Sequence, residues 1–227
     1  MGVSVVIPTL DAAASLGATL ESLAEAPAHG LALEVIVSDG GSSDATLDLA
    51  SRAGARVATG PKGRGRQLAA GAALATGASL LFLHADTRLE PGWAGVVAGF
   101  LAEPENAARA GYFRLMLDDA DPAARRLERL VGWRCRRLGL PYGDQGLLLS
   151  RTLYDSVGGY RPLPLMEDVD LVRRLGSRRL VALPAAALTS ARRYARDGYL
   201  RRSARNLLCL TLYWLGVPPR RLVGLYG

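Results

Sequence analysis

Three short stretches of this 227-residue chain carry side chains suited to chemistry. In SLLFLHADT, Ser79 to Thr87, an apolar run ends in an imidazole and a carboxylate, His84 and Asp86, separated by Ala85. Residues two apart on an extended chain point to the same face, so this spacing predicts that both groups converge on one ligand. In MEDVDL, Met166 to Leu171, Glu167 and Asp168 open a predicted helix, where their side chains diverge by about 100° and only one can act as a base at a given point. Asp170 reads as an ordinary ion pair with Arg173 or Arg174. In VIVSDGGSSDAT, Asp44 is placed to cap a helix, whereas capping accounts poorly for Asp39. Arg64 and Arg66 stand beside Gly63 and Gly65, where small residues permit close approach and guanidinium forks match phosphate oxygens. A solvated basic turn is the plainer alternative for either arginine.

The elements that position these groups follow from hydrophobic periodicity. Strands are predicted at VSVVIPT, LEVIVSD, ARVATG and LLFLHAD, alternating with helices over 12–26, 44–54, 65–77 and 92–103. Strand–helix alternation with near-continuous apolar strands is the pattern of a mostly parallel sheet covered on both faces, an α/β fold whose ligands sit at the carboxyl ends of the strands. Pro8, Thr9 and Asp11 end the first strand, Asp39 the second, and His84, Ala85 and Asp86 the fourth. After Ala108 the alternation breaks. A longer strand over 108–119, a basic helix from Pro122 to Leu138, a loop GLPYGDQG, a strand GLLLSR, helices over 151–160 and 166–176, a short strand near Leu180 to Leu183 and a helix from Asp197 to Gly216 are expected. No linker divides the chain, so one domain is expected over 1–227, with a first half 1–105, a second part 106–196 and a helical segment 197–227.

Composition narrows the class. Residues 1–105 carry 6 basic and 11 acidic groups, whereas 106–227 carry 22 and 10, and Lys62 is the sole lysine. The second half therefore favours anionic company. No nucleic-acid motif or arginine–aromatic interleaving appears, so nucleic acid is not expected as a partner. Cys135 and Cys209 lack metal-site spacing, which suggests a reduced, cytoplasmic compartment. The start of the chain shows no signal-peptide pattern, and the run from Leu207 to Val217 is about half the roughly 20 residues that cross a bilayer. The last helix, with arginines beside Tyr213 and Trp214, reads either as docked on the sheet or as contacting the inner membrane face peripherally.

Taken in order, VVIPTLD, VIVSDGGSSDAT, LLFLHADT and MEDVDL resemble the family 2 glycosyltransferases, inverting enzymes with the glycosyltransferase A type of nucleotide-diphospho-sugar transferase fold. GRGRQLAAGAALATG, PYGDQG and LYWLGVPPRRLVGLY look more narrowly like a radical-SAM-associated bacterial subgroup. The resemblance implies a nucleotide-sugar donor, a UDP-sugar being favoured, with Pro8, Thr9, Asp11 and Asp39 at the nucleoside and Arg64, Arg66, His84, Ala85 and Asp86 toward the diphosphate. Asp86 matches the family carboxylate that binds a divalent cation, Mn2+ or Mg2+. His84 replaces the first aspartate of the usual Asp-x-Asp element and removes one oxygen ligand, while its imidazole stays a candidate metal ligand or a hydrogen-bond partner of the ribose or phosphate. Asp168 matches the base that takes the proton of the acceptor hydroxyl. Asp144 and Gln145 of PYGDQG, with Glu167, are expected on the acceptor side, the acceptor being an unidentified hydroxyl compound, lipid-like compounds included. SARRY, Ser190 to Tyr194, resembles a shortened Q-x-x-R-W element, making Arg193 a candidate for the departing diphosphate and a single transfer the better fit.

Two other classes remain open from the residues alone. A nucleotidyltransferase keeps the metal and the sugar phosphate but releases pyrophosphate. A non-catalytic protein that binds a nucleotide-sugar or lipid headgroup is kept open by His84. A dinucleotide oxidoreductase is excluded, since P-T-L-D stands where G-x-G-x-x-G is needed.

Overall fold

The computed structural model describes residues 2–226. In chain order the elements are β1 (Gly2–Thr9), α1 (Ala13–Glu21), β2 (Ala32–Asp39), α2 (Thr46–Arg52), β3 (Arg56–Thr59), α3 (Arg64–Leu74), β4 (Ser79–Phe82), β5 (Thr87–Leu89), α4 (Trp93–Ala102), β6 (Ala110–Leu117), α5 (Pro122–Leu138), β7 (Leu147–Ser150), α6 (Arg151–Ser156), α7 (Glu167–Leu175), β8 (Leu180–Thr189), α8 (Arg192–Asp197), α9 (Tyr199–Trp214) and α10 (Pro219–Tyr226). The eight strands form one sheet ordered β3-β2-β1-β4-β7-β6-β8-β5. Strands from both halves of the sequence thus share one sheet, as the α/β expectation requires.

Alternate residues of the central strands feed two cores. Val3, Val5 and Ile7 of β1 pack with Leu81 beneath Trp93 and Val97 of α4, while Val6 packs with Ile36, Leu80 and Phe82 against Leu68 and Ala72 of α3. Apolar residues on both faces are what a helix-covered sheet demands.

Strand direction explains why the polar residues collect at one edge. β1, β2, β3 and β4 are parallel, and β6 is parallel to β8, so their carboxyl ends face the same way. β7 and β5 run against their neighbours, which brings their starts to that edge: Leu147 pairs with Phe82, and Thr87 with Thr189. The segments around 9–11, 39–46, 60–64, 83–86, 139–146 and 190–193 therefore all arrive together.

Several expectations are corrected. β4 stops at Phe82, and residues 84–87 form a turn closed by the Thr87 N–H donating to the His84 carbonyl at 3.2 Å. The two-residue alternation invoked for His84 and Asp86 therefore does not apply, because the chain is not extended there. β5 was not expected. β8 runs ten residues rather than stopping near Leu183; its alanines are weak strand formers, but β6 and β5 pair with it on either side, and Pro184 lies at a break in the β6 register. The helix expected over 12–26 ends at Glu21 and passes through a 3-10 turn, Ala26–His29. Past Pro218 the chain forms an additional helix, α10.

Candidate active site

The loops after β1, β2 and β3 are tied into one hydrogen-bonded body. Asp39, fully buried, accepts at Oδ1 from Thr9 Oγ1 at 2.8 Å and from the Ser42 hydroxyl, and at Oδ2 from the Gly41 and Ser42 N–H groups at 2.8 and 2.7 Å. Burial pushes this carboxyl up, but the Ser42, Thr9 and Gly41 donors outweigh it and hold it below the usual carboxylate range. Four donors use all the lone-pair directions of a carboxylate, so a base N–H reaches Asp39 only where the Ser42 hydroxyl rotates away. Asp11, in a left-handed conformation at φ 48°, accepts from the Ser43 N–H at 2.8 Å and braces the first loop on the second. Asp44 accepts from the N–H groups of Ala13 and Thr46, so it serves the first turns of both α1 and α2.

Gln67, which sequence reasoning missed, closes this body from α3. Its amide donates to the Thr9 and Ser38 carbonyls at 2.6 and 2.9 Å and accepts from the Gly63 N–H at 3.3 Å. Gly65 is small for a reason other than a ligand: a β-carbon there would collide with the backbone of Arg161 and Leu163. Arg64 and Arg66 lie two residues apart on α3, about 200° around the helix, so they cannot serve together. Arg64 turns toward Glu167, whereas Arg66 is exposed and makes no hydrogen bond or ion pair among the described residues.

The turn at 84–87 is pinned by its backbone. Ala85 and Asp86 contribute carbonyls that accept from Thr19 Oγ1 at 3.0 Å and from the Ser190 N–H at 3.1 Å. The Asp86 side chain takes no hydrogen bond from the described chain. A Mn2+ or Mg2+ ion is commonly held by one or two carboxylates plus substrate phosphates, and a free carboxylate beside Arg64 and Asp144 fits such a site. No group of three or more His, Cys, Asp or Glu gathers as a ligand set among the described residues, so most ligands would come from diphosphate and water. His84 is held well below its ordinary pKa by burial and by the charges of Arg64 and Arg193, so its ring is neutral. A β-carbon on Gly143 would lie 2.6 Å from His84 Nε2 and 3.3 Å from Asp168 Oδ2. Backbone thus crowds Nε2, and the imidazole lies beside Asp168.

Asp168 occupies the first turn of α7, where three carboxylates, Glu167, Asp168 and Asp170, face the positive end of the helix dipole. Asp168 Oδ2 accepts from the Gly143 N–H at 2.8 Å, and Oδ1 from the Val169 N–H at 2.7 Å, leaving each oxygen a further lone pair. Glu167 is buried and meets Arg64 at 3.4 Å. Burial and the neighbouring Asp168 push its carboxyl up to about 7, against the pull of Arg64. Glu167 is therefore a buried partner of Arg64 rather than a group open to an acceptor. Asp170 pairs with Arg174 as expected, yet it is buried, and with Arg161 and Arg174 it anchors the 157–161 segment. Before these acids stands Met166, left-handed at φ 64°, a strained conformation for a bulky residue. Cys209 and Leu222 from the C-terminal helices pack on Met166 and hold it there. His84, Gly143, Tyr160, Glu167 and Asp168 line a cavity of about 10 Å³, room for roughly one water.

PYGDQG splits into two roles. Gln145 is buried and fully used: it donates to the Phe113 carbonyl at 3.0 Å and accepts from Cys135 and the Tyr142 N–H. It does not reach the cleft, which corrects its assignment to the acceptor. Asp144 keeps its Oδ1 buried without a partner, and Asp168 and Asp86 act on it electrostatically. Burial pushes its carboxyl up, Arg134 opposes, and Asp168 and Asp86 push it further up. Arg193 is exposed yet acts on His84, so it stands at the same edge.

Among the described residues, four buried side-chain polar atoms lack a partner: Tyr142 Oη, Asp144 Oδ1, Arg202 Nη2 and Asn206 Oδ1. Three of these residues stand around Tyr194, whose hydroxyl accepts from Asn206 at 3.4 Å and on which Asp144 and Arg202 act electrostatically. Arg134 lies over the Tyr142 ring at 4.0 Å, and Arg202 over Tyr226 at 4.5 Å.

Residues 4–160 match the model of the Glycosyl transferase family 2. Curated relatives include PGL/p-HBAD biosynthesis glycosyltransferases of Mycobacterium bovis and Mycobacterium tuberculosis, 39% identical over 110 residues, covering 45% of this chain and 42% of theirs. The chain thus aligns with less than half the length of these relatives. Among solved structures, S. aureus TarS superposes with TM-score 0.67 at 16% identity over 92% of this chain and 39% of that one, and a TarS fragment was solved with UDP (TM-score 0.66, 18% identity, 84% and 60%). Glucosyl-3-phosphoglycerate synthase of Mycobacterium tuberculosis, solved with Mn2+, UDP and glucosyl-3-phosphoglycerate, gives TM-score 0.57 at 23% identity over 83% and 70%. The architecture is that of the nucleotide-diphospho-sugar transferases of glycosyltransferase A type, and the chain belongs to the Glycosyl transferase family 2.

Proposed function

We propose that this chain is a glycosyltransferase that moves a sugar, with inversion, from a UDP-sugar to an acceptor hydroxyl, with Asp168 as the base. The observation that carries this reading is convergence: Asp86, Asp144, Glu167 and Asp168, from four separated segments, act electrostatically on one another or on Arg64 at one sheet edge. Structural neighbours solved with UDP, UDP-GlcNAc or Mn2+ support the donor class and a divalent cation.

Asp11, Thr9 and Asp39 shape the nucleoside end, with the Ser42 hydroxyl free to rotate and release Asp39 Oδ1. Asp86 would hold the cation, Mn2+ or Mg2+, which supplies positive charge to a departing diphosphate. Arg193 and Arg64 add fixed positive charge at the same edge. Asp168, oriented by the Gly143 N–H, takes the acceptor proton as the hydroxyl attacks the anomeric carbon; one well-placed carboxylate suffices for a single displacement. The unpartnered atoms of Tyr142, Asp144, Arg202 and Asn206 mix donors with acceptors, which suits a hydroxyl-bearing acceptor.

A thermal-shift screen of nucleotide-sugars with and without Mn2+ or Mg2+ tests the donor site. Stabilisation by a UDP-sugar that needs the cation and disappears in Asp86→Asn supports the reading. Release of pyrophosphate instead of UDP, or a product retaining the donor's anomeric configuration, overturns it.

A further inference from the structure

Helix α9 is inside-out. Its buried positions include Arg202, 1% exposed, whereas Leu200, Leu207 and Leu215 are 89%, 64% and 76% exposed. Besides Arg201, the exposed residues are Leu200, Ala204, Leu207, Leu208, Thr211 and Trp214, followed by Leu215 just past the helix end. Spacings of 4, 3, 1, 3, 3 and 1 keep them on one face of a 3.6-residue helix, an apolar stripe about 22 Å long. α10 extends the same character, exposing Val223 and Leu225 beside Arg220 and Arg221. Docking on the sheet was one expectation for this helix. Instead the inward face packs on α7 and α10 through Cys209, Leu222, Leu165, Met166 and Val169, whereas on the outward face Trp214 meets Arg173 of α7 at 4.5 Å and Leu200, Leu207, Leu208 and Leu215 join no core cluster among the described residues.

We propose that this outward face rests on an anionic lipid bilayer, lying in the interface without crossing it. No helix among the described residues is long and apolar enough to span a membrane, which agrees with an interfacial position. Charge selects the occupant. After Asp197 the sequence carries five arginines and no acidic residue. Arg202 and Arg205 pair with Asp197, but Arg201, Arg220 and Arg221 are exposed and make no ion pair among the described residues, so a second copy docked on this face would bring these arginines against their own kind, and like-charge juxtaposition is costly. Anionic headgroups answer them directly, each arginine near such a surface strengthening binding about fivefold. Trp214 and the leucines supply the apolar half of an interfacial helix. The proposal is independent of the catalytic reading.

The test is flotation of the intact protein with vesicles of phosphatidylcholine alone and of phosphatidylcholine mixed with phosphatidylglycerol, alongside light scattering for mass. Partition onto the anionic vesicles only is expected, weakened by salt. Leu207→Ser with Leu208→Ser should lower it at least tenfold with an unchanged melting temperature, since both side chains are already exposed, and Arg220→Gln with Arg221→Gln should lower it about twenty-five-fold. Failure to float with anionic vesicles, equal partition onto both vesicle types, or a dimer that the leucine substitutions dissociate would overturn the proposal.

Discussion

The two ends of the cleft are built on opposite terms. At the nucleoside end, Asp39, Asp11, Asp44 and Gln67 bind three loops so completely that Asp39 has no lone pair left over. At the acceptor end, Tyr142, Asp144, Arg202 and Asn206 each keep a buried polar atom without a partner. A satisfied network costs nothing further to maintain and holds its shape before any ligand arrives. An unsatisfied one destabilises the free protein by about 1–3 kcal/mol per group and recovers that energy when a ligand supplies hydrogen bonds. On the proposed assignment of these two ends, the donor end is preformed, whereas the acceptor end would store destabilisation that the correct acceptor relieves.

Substitutions can break or sharpen this contrast. The largest stability effect is expected from Gln67→Ala, which removes the side-chain partner of the Ser38 carbonyl and of the Gly63 N–H and leaves the Thr9 carbonyl with only the Gly40 N–H; a loss of about 1–3 kcal/mol should appear in urea denaturation, with weakened UDP binding. Gly143→Ala places a methyl group against His84 and Asp168 and should lower the turnover number about a hundredfold through misplacement of the base, with donor affinity little changed in calorimetric titration. Tyr142→Phe should do the reverse of Gln67→Ala, raising free-protein stability by up to about 1 kcal/mol while raising the acceptor KM.

The smallest effect concerns pH. The Glu167 carboxyl is raised from 4.5 to about 7, so the folded state holds that proton more tightly. Its contribution to stability is complete below pH 4.5 and is lost as pH rises through about 7. Glu167→Gln should therefore flatten the fall in melting temperature between those values. An unchanged pH slope would show that Arg64 already compensates the buried charge.

The parallel half of the sheet was legible because its strands are long apolar runs ending in polar residues, and Asp39, Asp86 and Asp168 all fall where strand ends and helix starts put them. The finer geometry was not. His84 and Asp86 looked like alternating strand residues, but β4 ends four residues early because its antiparallel neighbour β7 begins at Leu147, opposite Phe82. Gln145 looked like a loop hydrogen-bonder, yet packing against Phe113 and Cys135 draws it inward. Gln67 sits inside a helix pattern with nothing local to mark it, and its partners are 58 and 29 residues away. α9 carried a readable mixture of arginine and leucine, but the identity of the buried face depends on α7, which periodicity within α9 does not specify.

The central claim is that Asp168 removes the acceptor proton without holding the donor. Calorimetric titration of Asp168→Asn with UDP-sugar and Mn2+, paired with measurement of transfer, tests it most directly. Donor affinity within about threefold of the unsubstituted protein with transfer lowered on the order of a thousandfold is the expected result. Transfer at the unsubstituted rate, or loss of donor binding in step with activity, would contradict it.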